Sequence, residues 1–111
     1  MKKDFVLKVR EKVYKKGLEF YTQAKKLEPE HLSASIAHSR KHPKPNVDTW
    51  YDGLWEKKAA ISADISILNR KANDLFRIAD NLKGCDDLQA EVIVKKLSID
   101  FPEILVEMVL E

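Results

Sequence analysis

The residues of this 111-residue chain that could do chemistry gather in one short segment, where His31, His38 and His42 lie close together just after Glu28 and Glu30. On a continuous helix His38 and His42 stand at i and i+4 and share a face, the spacing at which two imidazoles can hold a divalent metal. The rest of a two-histidine metal motif is missing. No glutamate lies between the two histidines, no third ligand is obvious, and His42 precedes Pro43, which disfavours a helical backbone at the residue before it. Solvated surface histidines are the expectation, with no metal and no other cofactor.

Nucleophilic catalysis would have to use Cys85 or one of the serines at 33, 35, 39, 62, 66 and 98, and none lies in a glycine-rich elbow. Cys85 is followed by Asp86 and Asp87, whose negative charge discourages the thiolate. The two carboxylates read more simply as helix caps than as an acid–base pair. No glycine loop that could cradle a phosphate is present. The chain therefore offers no catalytic residue and reads as a non-enzyme.

Two features bear on binding. Lys8, Lys12, Lys15 and Lys16 can share a face of the first helix and neutralise phosphates, although the solvated side of an amphipathic helix looks the same. The stretch from Ile93 to Met108 resembles a helix-turn-helix with its turn at residues 97–100, but the second helix offers Glu103, Glu107 and Glu111 and nothing basic to read bases. Trp50, Tyr51 and Trp55, with Phe76 further along, are the aromatic candidates for a protein interface, where Trp and Tyr supply much of the binding energy.

These residues must be positioned by helices. From Phe5 to Leu27, Val6, Val9, Val13, Phe20, Ala24 and Leu27 recur at helical spacings, and Gly17 inside this run costs about 1 kcal/mol against Ala. The pattern predicts a helix over 4–27, a break at Pro29, a short, weakly packed helix over 30–41 and a linker over 42–47. Next comes a stripe with spacings of four and three: Val47, Tyr51, Leu54, Lys58, Ile61, Ile65, Leu68, Ala72, Leu75, Ala79 and Leu82. It predicts a long helix over 49–83 with Asp48 or Thr49 as cap, burying Ile61, Ile65, Leu68, Leu75 and Leu82, with Gly53 as the alternative start. A helix over 87–98, capped by Asp86 or Asp87, is expected to bury Leu88, Val92, Ile93 and Leu97. A last one over 101–110, with a capping box from Asp100 to Glu103, is apolar on nearly every side and must be buried in the fold or in a partner.

β-branched residues never alternate with polar ones over a strand length, so the fold class is all-α: one helical bundle domain over 1–111 built on the long heptad-patterned helix. Hydrophobic residues make up 44% and charged residues 34%, which argues against disorder, and no apolar run reaches the roughly 18 residues of a membrane span. The lone Cys85 cannot form an internal disulfide, and no signal-peptide h-region follows Lys2 and Lys3, so the expected location is cytoplasmic.

The net charge of +2 hides an asymmetry. Residues 1–46 hold 12 Lys or Arg against 5 Asp or Glu, a net of +7, and residues 47–111 hold 8 against 13, a net of −5. Complementary charge within the fold is the simpler origin, and an anionic partner the other. A coiled-coil-like interaction or regulatory factor that binds another protein is the function these features suggest. Nucleic-acid association through the basic first helix is the alternative. A homodimer is also expected, because a first helix of about 35 Å cannot cover a 50 Å seam.

Overall fold

A computed structural model describes residues 2–44 and 47–110. Residues 45 and 46 of the expected linker, the side chain of Val47 and residue 111 lie outside that description. The chain forms five helices: α1 (Lys3–Lys41), α2 (Val47–Trp50), α3 (Gly53–Leu82), α4 (Asp87–Asp100) and α5 (Pro102–Leu110). Among the described residues there is no strand, and the fold is an all-α helical bundle.

The first departure from the sequence pattern is at Pro29, where one helix continues instead of two. A proline inside a helix removes a hydrogen bond and costs about 3 kcal/mol. Pro29 and Lys25, whose carbonyl loses its amide partner, are both exposed, so water can replace the lost bond. The inner stripe meanwhile runs on without a slip: Val9, Val13, Gly17, Phe20, Ala24, Leu27, His31, Ala34 and His38 are each buried or half-buried. Burial along the whole stripe decides the backbone, and the local rule yields.

α3 begins at Gly53, and its cap is Asp52 rather than Asp48 or Thr49. Asp52 Oδ1 accepts a hydrogen bond from the Trp55 amide at 3.0 Å, and the Asp52 carbonyl accepts from the Glu56 amide, also at 3.0 Å. α1 has 39 residues and α3 has 30, so at about 1.5 Å per residue the first helix is the longer one. The argument for a dimer from a short first helix therefore does not hold.

Burial along the α3 stripe is graded. Ala72, Leu75, Ala79 and Leu82 are buried, whereas Ile61, Ile65 and Leu68 are only half-buried. At the C-terminal end of α3, Gly84 adopts a φ of 141°, a conformation that side chains rarely tolerate.

The chain divides into two compact units, residues 1–19 with 71–111 and residues 20–70. The first has an aliphatic core of Val9, Val13, Leu75, Leu82, Val94, Leu97 and Ile104. There Gly17 faces Phe76 so closely that a Cβ would lie 2.8 Å from the ring, which also packs against Tyr14 with centroids 5.5 Å apart. The fully buried side chains of the second unit are Ala24, Ala34 and His38, among the described residues.

Asp86 caps α4 through a reciprocal capping box with Gln89, at 2.8 and 3.0 Å. Asp100 is the last residue of α4, not the cap of α5, because the α4 helix continues through it. α4 turns inward a different face from the one expected: Ala90, Val94 and Leu97 are buried, while Leu88 and Val92 are exposed and Ile93 is half-buried. At 100° per residue, Ala90, Val94, Leu97 and Phe101 form one stripe without charge, whereas Leu88, Val92 and Ile99 share theirs with Lys95. Burying the second stripe would bury an ammonium, so the uncharged one goes inside. α5 is likewise covered on one side only, with Ile104 buried and Val106, Val109 and Leu110 exposed.

Candidate functional site

The last turns of α1 and the turn before α3 bring together the side chains best suited to chemistry. The His42 amide still bonds the His38 carbonyl at 3.1 Å, so helical geometry persists through residue 42 despite Pro43. Both imidazoles consequently point toward Asp52, the cap of α3. His42 Nε2 lies 2.7 Å from Asp52 Oδ2, and the Lys41 ammonium donates to the same oxygen at 2.8 Å. His38 Nε2 is 4.0 Å from Asp52 Oδ1 and 2.8 Å from the Trp50 carbonyl. Rings close the cluster: Trp50 meets His38 edge-on at 4.3 Å, and the two histidine rings are 4.9 Å apart.

Electrostatics follow from these contacts. The hydrogen bond from Lys41, then that from His42 and the Trp55 amide, hold the Asp52 carboxyl well below the usual carboxylate range. A carbonyl can only accept, so His38 Nε2 carries the proton shared with Trp50. His38 Nδ1 is buried and has no hydrogen-bond partner among the described residues.

The expectation of solvated histidines is corrected for two of the three. The His38 side chain is 1% exposed and that of His42 7%. A third side chain able to ligate, Asp52, is brought beside them by the turn before α3. A signal for His38 was present: continuing the α1 stripe past Leu27 at spacings of four and three lands on His31, Ala34 and His38.

The aromatic candidates are dispersed. Trp50 belongs to the histidine cluster and Phe76 packs on Tyr14 and beside Gly17. Tyr51 is exposed and meets Trp55 edge-on at 4.9 Å. Lys8 and Lys15 are exposed on α1, Lys12 is half-buried, and Lys16 pairs with Glu19 at 3.3 Å.

A second candidate surface lies on α5, whose apolar character the sequence pattern marked, and on the outer face of α4, which it did not single out. Leu88, Val92, Ile99, Val109 and Leu110 are between 63% and 83% exposed. An open groove of about 650 Å³ beside them is lined by Leu88, Val92 and Ile93 from α4, with Cys85 and Asp80 at its α3 side. The acidic excess of the second half of the chain is concentrated here: residues 86–111 hold two lysines against seven Asp or Glu, a net of −5, equal to that of the whole segment 47–111.

No protein family, curated protein or solved structure matches this chain. Among the described residues no helix is long and apolar enough to cross a membrane.

Proposed function

We propose that this protein is a non-enzymatic interaction factor that binds another protein through the outer face of α4 and α5, and that its partner presents a basic amphipathic helix. The observation that carries this reading is the two-faced character of α4. One apolar stripe is spent on the core, and a second, Leu88, Val92 and Ile99 with Lys95 in its register, is left in water, as are Val106, Val109 and Leu110 of α5. Scattered exposed leucines need no explanation, but stripes on consecutive helices beside a groove are what a docking site requires. The acidic residues around them select a cationic occupant. A reducing, cytoplasmic setting accords with the single cysteine.

A synthetic helix of leucine and lysine, labelled for fluorescence anisotropy, tests the surface on the full-length chain. It should bind, should protect Cys85 from alkylation, and should lose at least about tenfold in affinity to the Val92→Glu, Ile99→Glu double variant, whose thermal midpoint should stay near that of the parent because both side chains are exposed. Equal binding of a leucine–glutamate helix, or no loss in the double variant, overturns the reading. So does light scattering that gives twice 12.8 kDa and reverts to one chain in the double variant, since a second copy would then cover the face. Nucleic acid retained at about 0.15 M salt and released by Lys8→Glu, Lys12→Glu and Lys15→Glu would put the basic helix first.

A further inference from the structure

The geometry points to a divalent transition-metal site, of the kind that takes Zn²⁺, formed by His38, His42 and Asp52. Each residue offers one ligand atom, and the three atoms lie within 4.8 Å of one another. A tetrahedral zinc ion, with bonds of about 2.0 to 2.2 Å, holds its ligands about 3.3 Å apart. The His42 to Asp52 pair stands at 2.7 Å and all three atoms lie within 4.8 Å, so movements of about 0.6 to 1.5 Å bring the side chains to that spacing.

Three features separate this cluster from a chance meeting of surface groups. The ligands are enclosed, with side-chain exposures of 1%, 7% and 18% for His38, His42 and Asp52. Asp52 is oriented by the Trp55 amide, which bonds Oδ1 at 3.0 Å while Oδ2 faces His42. The His38 ring donates through one nitrogen to a backbone carbonyl, the outer contact that ligating histidines usually make, while the other nitrogen is buried and has no partner among the described residues. Two imidazoles and one carboxylate suit zinc, nickel or copper rather than magnesium or calcium, which prefer oxygen alone. A water can take the fourth position of the shell.

Lys41 supplies a control. Its ammonium holds Asp52 Oδ2 at 2.8 Å and is itself more than half exposed, so in the metal-free protein it occupies the position of a counter-ion. A cation at the site must displace it, and removing it should tighten metal binding. If the cluster were only a latch between α1 and α3, removing Lys41 would weaken it.

The test uses the untagged full-length chain, stripped with a chelator and titrated calorimetrically with Zn²⁺, with Co²⁺ as a spectroscopic substitute. One ion per chain should bind, raise the thermal midpoint, and give the intense visible bands of four-coordinate cobalt. His42→Gln and Asp52→Asn should each lower affinity at least tenfold, and Lys41→Met should raise it. Asp52→Asn keeps a good helix cap but loses the Lys41 pair, so each variant is titrated well below its own thermal midpoint, where a loss of affinity does not reflect unfolding. Absence of stoichiometric binding to the parent, or binding indifferent to His42→Gln and Asp52→Asn, overturns the proposal. Zn²⁺ binding by Lys41→Met that is weaker than binding by the parent overturns it as well.

Discussion

Replacing Gly17 with alanine sets two effects of known sign against each other. In an isolated helix alanine is favoured over glycine by about 0.5 to 1 kcal/mol. In this fold the new Cβ would stand 2.8 Å from Phe76 Cε1, 3.0 Å from Cδ1 and 3.4 Å from the Ala72 carbonyl oxygen. Carbon atoms pack best at about 3.5 to 4.0 Å, so the ring must retreat by roughly 0.7 Å or more. Its retreat is resisted by Tyr14, which packs against it. Overpacking of this kind costs about 1 to 3 kcal/mol, which exceeds the helical gain and leaves Gly17→Ala destabilising by about 1 kcal/mol, within a range of about 0 to 2.5. Denaturant unfolding with an unchanged m-value measures this directly. In a Phe76→Ala background the obstruction is gone, and the same substitution should stabilise by about 0.5 to 1 kcal/mol. Stabilisation by Gly17→Ala in the parent chain would refute the reasoning, as would a cycle with no coupling between the two positions.

Leu97→Ala should cost about 2 to 5 kcal/mol, because the side chain is fully buried, whereas Leu68→Ala at a half-buried position should cost about half as much; equal losses would contradict the graded burial of the α3 stripe. Asp52→Asn should destabilise at neutral pH and lose its effect in acid. The native carboxyl is held below its unfolded value of about 3.9, so its contribution is complete above about pH 4 and disappears as pH falls through the native value. Thermal midpoints of parent and variant against pH should converge on the acid side, and a constant difference would show that the Lys41 and His42 contacts contribute nothing.

The all-α class and the α3 stripe were legible because a 3.6-residue period is a strong signal over thirty residues. The continuity of α1 was not, since Pro29 is a local stop signal and only the burial of residues on both sides of it outweighs its cost. Reading the break as real also detached His31 and His38 from the register that places them inside. Asp52 was hidden for a different reason: Asp48, Thr49 and Asp52 are all competent caps, and only the backbone turn after Trp50 chooses among them. On α4 the mistake was to follow the larger side chains. Leu88, Val92 and Ile99 outweigh Ala90 and Val94 in bulk, yet Lys95 lies in their stripe and charge decides the orientation.

The contrast between the two cores gives the histidine cluster its physical weight. Full burial of a valine, leucine or isoleucine contributes about 1.5 to 3 kcal/mol, and residues 1–19 with 71–111 bury seven such side chains. Among the described residues, 20–70 fully bury two alanines, each worth about one methyl group, and one polar ring. That unit must draw its stability from half-buried contacts and from the hydrogen bonds that tie His38 to Trp50 and His42 to Asp52. Where apolar burial is thin, local opening is cheap, and any ligand that binds only the closed arrangement raises the cost of opening in proportion to its affinity. A metal ion held by His38, His42 and Asp52 would therefore change the opening of this unit far more than it could change that of the other, whose core already resists it.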